Sequence, residues 1–291
     1  MRLFMAGSEG GLPSKVIEKG FVENAFISYY ALRKKKNFDF PLYRKNIKII
    51  IVDSGAHTFF SELQGQGLSV SVHVKKSKTK ETPDEYWENY KKWLVKYHDY
   101  FNYFVELDIG EIVGQDKVLQ WREELKELGL YNQCITCYHP RIISWEAYIG
   151  MLEDSQSKYI AVEGERPGRN SLPYGRLLKE AYQRGVKVHG FALIKKRLLE
   201  KYPFYSADSS SWLSGGQYGS VLSSINGTTK TIKFKSKHLL KIKAEGLVDL
   251  FNKDKMLVKG LEISAKAYNK YQNYLTNLWA TRGIKYEDNN K

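Results

Sequence analysis

The chain has 291 residues, with 46 Lys and Arg against 32 Asp and Glu, a formal charge of +14. Its 42% hydrophobic and 14% aromatic content is enough for a packed core and excludes disorder as the main state. No run approaches the roughly 18 apolar residues of a membrane span, and Met1 to Pro13 lacks the apolar stretch and cleavage-like site of a secretory signal. Two cysteines, Cys134 and Cys137, are too few to staple a chain of this length, so the expected setting is a reducing cytoplasm. The surplus positive charge asks for a polyanion, nucleic acid first.

In chain order, short β-branched or aromatic runs predict strands at Arg2 to Ala6, Ile47 to Val52, Tyr103 to Leu107, Cys134 to Tyr138, Tyr159 to Val162, Val186 to Leu193, Phe204 to Ala207 and Ser220 to Ser224. Helical signals lie between most of them. Thr82, Pro83 and Glu85 form a capping box, followed by Trp87, Tyr90, Leu94 and Tyr97 at helical spacing. Asp116 precedes a helix that stops at Gly129, Ser144 opens another, and Ser171 to Arg184 forms a third that ends at Gly185. Asp254 to Arg282 reads as a long helix with Leu257, Leu261, Ala265, Tyr268, Tyr271 and Leu275 on its core side. With no repeat, low-complexity tract or linker, residues 1–291 read as one domain.

Eight strands alternating with helices predict an α/β (β/α)₈ TIM-type barrel with a long C-terminal helix. An open doubly wound sheet is the alternative. Against it, Gly7-Ser8-Glu9-Gly10-Gly11 is not G-x-G-x-x-G, and there is no Walker lysine.

A barrel of this kind works at the C-terminal ends of its strands, and here those ends are acidic. They carry Asp53-Ser54-Gly55, Glu106-Leu107-Asp108, His139, Glu163-Gly164, His189-Gly190 and Asp208-Ser209-Ser210. Converging carboxylates repel one another unless they share protons or meet a ligand rich in donors, and a nucleobase is such a ligand. In isolation, Asp53-Ser54-Gly55 also reads as a turn, Asp208 before three serines as an N-cap, and Glu163 as half of a surface ion pair with Arg166 or Arg169. His189 reads as a hydrogen-bonded wall residue.

Asp53-Ser54-Gly55-Ala56 resembles the D-S-G-G motif of the guanine transglycosylases, which exchange guanine in a polynucleotide for a 7-deazaguanine. Leu107-Asp108, Val162-Glu163-Gly164, His189-Gly190-Phe191-Ala192 and Ser206-Ala207-Asp208 resemble further segments of that family in the same order. The compact form, with Tyr205 to Trp212 and Trp212-Leu213-Ser214-Gly215-Gly216, most resembles the bacteriophage DNA-guanine transglycosylases. The resemblance implies Asp208 as nucleophile at C1′ and Asp53 as general acid/base. It also implies that Asp108, Glu163 and the Gly190 backbone read the base, that Ser54 lies in the base site, and that His57 or Phe60 stacks on the ring. The expected co-substrate is a 7-deazaguanine, such as the 7-cyano or 7-aminomethyl base, and the expected polymer is DNA.

The zinc site of the tRNA-modifying members, C-x-C-x-x-C with a later His beyond the nucleophile strand, has no counterpart, because both cysteines precede Asp208. No zinc or other cofactor is expected. If Cys134 to Tyr138 is a strand, Cys134 and Cys137 point to opposite faces. Lys230, Lys233, Lys235, Lys237, Lys241 and Lys243 form a stretch without acids, suited to tracking DNA phosphates. A minimal tRNA-guanine transglycosylase, a non-catalytic nucleic-acid-binding barrel and a carboxylate glycosidase are the alternatives.

Overall fold

Strand alternation decides which side chains fill the barrel and which meet the helices. In the computed structural model, which describes residues 1–35, 38–63, 81–164, 172–214, 220–225, 228–233 and 253–285, Phe4, Phe26, Ile49, Ile51, Val105 and Ile135 form an inner cluster. Leu3, Met5, Ile50 and Val52, one position along, belong to the layer beneath the helices.

The elements are β1 (Arg2–Ala6), α1 (Gly11–Ile17), β2 (Asn24–Ser28), α2 (Tyr29–Leu32), α3 (Phe40–Asn46), β3 (Ile49–Asp53), α4 (Ala56–Leu63) and α5 (Pro83–Tyr97). Next come β4 (Tyr103–Val105), α6 (Gly110–Val113), α7 (Gln115–Glu127), β5 (Cys134–Tyr138), α8 (Trp145–Asp154), β6 (Tyr159–Val162), α9 (Tyr174–Gln183), β7 (Lys187–Gly190), α10 (Lys196–Leu199) and β8 (Ser206–Ser209). An antiparallel pair, β9 (Ser220–Ile225) and β10 (Thr228–Lys233), precedes α11 (Lys253–Thr281).

Strands β1 to β8 close into a parallel barrel in sequence order, with β1 pairing both β2 and β8. Closure removes the open-sheet alternative. Eight is the expected number, but the set differs. β2 was not among the expected strands, and Ser220 to Ser224 lies in the β9–β10 ribbon outside the barrel. β2 escapes pattern recognition because it opens on Asn24, a polar residue that is fully buried. Its side-chain amide donates to Gln272 Oε1 of α11 at 2.8 Å, an oxygen that also accepts the Leu3 N–H at 2.8 Å. A partner from the far end of the chain thus takes up the N–H side of the buried amide.

Helix starts follow the local chemistry in part. The Thr82–Glu85 capping box forms as expected, and Ser144 Oγ accepts the Ala147 N–H. Asp116 lies inside the first turn of α7, whose N-cap is Gly114 at φ +84°. α9 begins at Tyr174, while Ser171 lies outside the described residues. α11 buries Leu261, Ala265, Tyr268, Tyr271 and Leu275 as expected, with Leu257 half-buried. It packs on β1 and α1, which makes it the helix that closes the β8–β1 unit.

Tyrosines build much of the core, and several of their hydroxyls find backbone acceptors. Tyr86 donates to the Ser54 carbonyl at 2.6 Å, Tyr90 to Val105 at 2.8 Å and Tyr148 to Leu177 at 2.8 Å. Between barrel and helices, Arg122 binds Glu106 through two bonds of 2.6 and 2.8 Å, and Glu106 also accepts the Cys137 N–H at 2.6 Å. Glu106 is therefore a structural acid facing α7. Among the described residues, no helix is long and apolar enough to cross a membrane.

Candidate active site

The C-terminal ends of the strands bring Asp53, Asp108, Glu163 and Asp208 to one mouth, as the strand-end pattern predicted. Because β2 was uncounted, Asp53 belongs to the third strand and Asp208 to the eighth. Register ties them to their neighbours: Asp53 pairs with Ser28, and Asp208 with Phe4.

At the end of β3 the chain turns on Gly55, whose φ of +76° and closeness to Tyr30 leave no room for a side chain; a Cβ there would lie 2.3 Å from Tyr30 Cβ. The Gly55 N–H donates to Asp53 Oδ2 at 3.1 Å. Asp53 thus does form the turn that its sequence suggested, and its carboxyl also faces the other acids. Burial, then the charges of Asp108 and Asp208 and more weakly that of Glu9, push its pKa up to about 8 against the lowering effect of the Gly55 N–H. At neutral pH Asp53 carries a proton.

Asp208 is held differently. Its Oδ1 accepts the Ala192 N–H at 2.8 Å and lies 3.1 Å from His189 Nε2. The adjoining turn at Ser211–Leu213 has Ser210 as its N-cap, and Ser209 Oγ accepts the Ser211 N–H at 3.1 Å, so Asp208 is not its cap. His189 is fully buried, stacked on Phe26 with centroids 5.4 Å apart and planes 5° apart, as a wall residue should be.

Opposite lies a second cluster. His139 Nε2 is 3.1 Å from Asp108 Oδ2. Burial pulls the His139 pKa down, but the hydrogen bond and charge of Asp108, with Glu163 and Glu106 behind it, outweigh that and leave it raised. Glu163 is buried, with Oε2 3.5 Å from Arg141, which also approaches Glu111 at 3.7 Å. Arg166 and Arg169, the expected ion-pair partners, lie outside the described residues.

Neither a protein-family model nor a curated protein matches the chain. Among solved structures, the X-ray structure of the YdjI aldolase from Escherichia coli K12 is similar at 9% identity and a TM-score of 0.49, covering 93% of this chain and 90% of that one. A likeness of this size carries no functional information.

The remaining expected site residues are less central. Ser54 is fully buried, and its Oγ accepts the Ala56 N–H at 3.4 Å at the start of α4. A Cβ on Gly190 would sit 2.9 Å from Leu193 Cδ2, so packing behind the strand already requires glycine there. His57 and Phe60 share one side of α4 at i and i+3, the first exposed and the second half-buried. Cys134 belongs to the outer layer and Cys137 to the inner cluster, on opposite faces of β5, and burial raises both thiol pKa values.

Lys230 and Lys233 lie on β10, in register with Ser223 and Ser220 of β9. Lys235, Lys237, Lys241 and Lys243 lie outside the described residues.

Glu9 was missed. It follows β1 in the glycine-rich turn, its Oε2 is buried without a hydrogen-bond partner among the described residues, and burial raises its pKa. The strand-end rule applied to β1 would have found it. Phe26 was missed with β2.

Proposed function

We propose that this chain is a guanine transglycosylase that exchanges guanine in DNA for a 7-deazaguanine through a covalent link to Asp208. The observation that carries this reading is the division of labour between two carboxyls of one mouth: Asp53 protonated at neutral pH, and Asp208 set against two nitrogen atoms. Base exchange needs one acid and one nucleophile.

In the first half, an Asp208 oxygen bonds to C1′ as the bond from C1′ to guanine N9 breaks. The electron pair stays on the base, which takes the Asp53 proton. In the second half, the incoming 7-deazaguanine returns a proton to Asp53, its N9 bonds to C1′, and the Asp208 oxygen leaves with the electrons of its ester bond. Protons and electrons balance without a further reactant. Asp108 and Glu163 accept hydrogen bonds from the base N–H groups, with His139 and Arg141 offsetting their charge. The net charge of +14 supports a polyanionic substrate, and the acid-free lysine stretch of the sequence from Lys230 to Lys243 supports phosphate contacts.

The test is incubation of the protein with guanine-labelled DNA and, separately, tRNA, with and without 7-cyano- or 7-aminomethyl-7-deazaguanine. Release of label from DNA that depends on the added base supports the reading. Release from tRNA alone favours the RNA-modifying activity, and no release from either sinks both.

A further inference from the structure

We infer that His189 is the positioning residue of Asp208, locked as the Nε2–H tautomer by a one-way hydrogen-bond chain through the barrel from Tyr159 to Ser206 to His189. The catalytic meaning of the chain rests on the function proposed above; its direction does not.

The direction follows from counting protons. Tyr159 is fully buried, and among the described residues its hydroxyl meets one hydrogen-bonding group, Ser206 Oγ. A buried phenol without an acceptor is costly, so Tyr159 donates to Ser206. Ser206 has one proton and one other partner, His189 Nδ1 at 2.7 Å, and must donate there. Nδ1 is then an acceptor, the ring proton sits on Nε2, and Nε2 points at Asp208 Oδ1, 3.1 Å away. The Ala192 N–H reaches the same oxygen from a non-glycine residue at φ +49°, a strained conformation kept where it aims that donor. Both donors thus converge on Oδ1, leaving Oδ2 for the nucleotide. Phe26 stacks on the imidazole while Phe4 and Phe191 meet it edge-on, so the ring cannot turn to offer its other nitrogen.

Chain reversal would present a bare Nε2 lone pair to the carboxylate. Ser206→Ala removes the proton that prevents this, without touching Asp208 and with the loss of one buried oxygen. The full-length protein labelled with ¹⁵N-histidine reports the tautomer directly from the two ring-nitrogen shifts. The expected result is Nε2–H for wild type and appearance of the Nδ1–H form in Ser206→Ala.

In the exchange assay, His189→Phe should lower kcat on the order of 10²-fold or more with KM for DNA unchanged, since it removes the donor that holds Asp208 Oδ1 in a carboxylate–histidine pair. His189→Gln, whose amide nitrogen can donate from the Nε2 position, should recover most of that loss. A purely packing role predicts the reverse order, with Phe tolerated best. An Nδ1–H tautomer in wild type, or a His189→Phe kcat within about twofold of wild type, overturns the inference. Should wild type exchange no guanine at all, the reaction reading fails, while the nitrogen shifts still decide the direction of the chain.

Discussion

His139 Nε2 lies 3.1 Å from Asp108 Oδ2, so the carboxylate expected to read the base is backed by an imidazole whose pKa that contact raises. A raised histidine contributes stability that is full below its unfolded pKa, near 6.5, and is lost as pH rises through the folded value. Asp108→Asn removes the cause. The His139 titration followed by NMR should move to lower pH in that variant, and the KM for the incoming base should rise about tenfold, the scale of one charge-assisted hydrogen bond. An unmoved titration would mean that Asp108 does not face His139 in solution.

Asp53 gives a stability signature of its own. Its folded pKa of about 8 stands above the ordinary aspartate value of 3.8, so the fold binds this proton more tightly than the unfolded chain does. Stability is full below about pH 4 and falls as pH rises towards about 8, by up to about 1.4 kcal/mol per pH unit from this group. Asp53→Asn lacks the titration. Its melting temperature should gain steadily on wild type between about pH 5 and pH 8, and wild-type exchange should decline above about pH 8 as the acid ionises. Parallel melting curves across that range would contradict a protonated Asp53.

Asp208→Asn should abolish exchange and the covalent adduct while leaving DNA affinity within about twofold, because phosphate contacts hold the polymer. Denaturing electrophoresis of protein mixed with labelled DNA, with and without added base, reads the adduct. A variant that exchanges at the wild-type rate rules out Asp208 as nucleophile.

The Glu106–Arg122 pair should matter to folding alone. Glu106→Gln leaves Arg122 buried beside a neutral partner and should cost about 3–5 kcal/mol in denaturant unfolding, whereas replacing both residues with apolar ones of similar volume should cost far less. Equal losses in the single and double variants would show that the pair itself, and not the stranded charge, carries the stability.

The lysine stretch is testable through salt. Replacing Lys233, Lys235 and Lys237 with Gln should flatten the slope of log affinity against log salt on duplex DNA by up to about 2.7, equally for all sequences. Titrations at several salt concentrations measure it, and an unchanged slope would assign these lysines to an ordinary solvated face.

The strand-helix alternation, the capping box at Thr82 and the acids after each strand are local signals, and the barrel class and the acids Asp53, Asp108, Glu163 and Asp208 at its mouth were legible from them. What local signals could not supply was identity within the barrel. β2 enters the barrel with the buried Asn24 amide N–H donated to Gln272, 248 residues away, whereas the equally strand-like Ser220 to Ser224 pairs with β10 instead. Protonation is likewise a tertiary property. Asp53 and Asp208 are the same residue type in similar contexts, each followed by serine at a strand end. Only closure of the barrel surrounds Asp53 with other carboxyls, and only the left-handed turn at Ala192 and the buried His189 bring two nitrogens to Asp208. Charge states depend on distance through space and on lost water, and neither is written in sequence spacing.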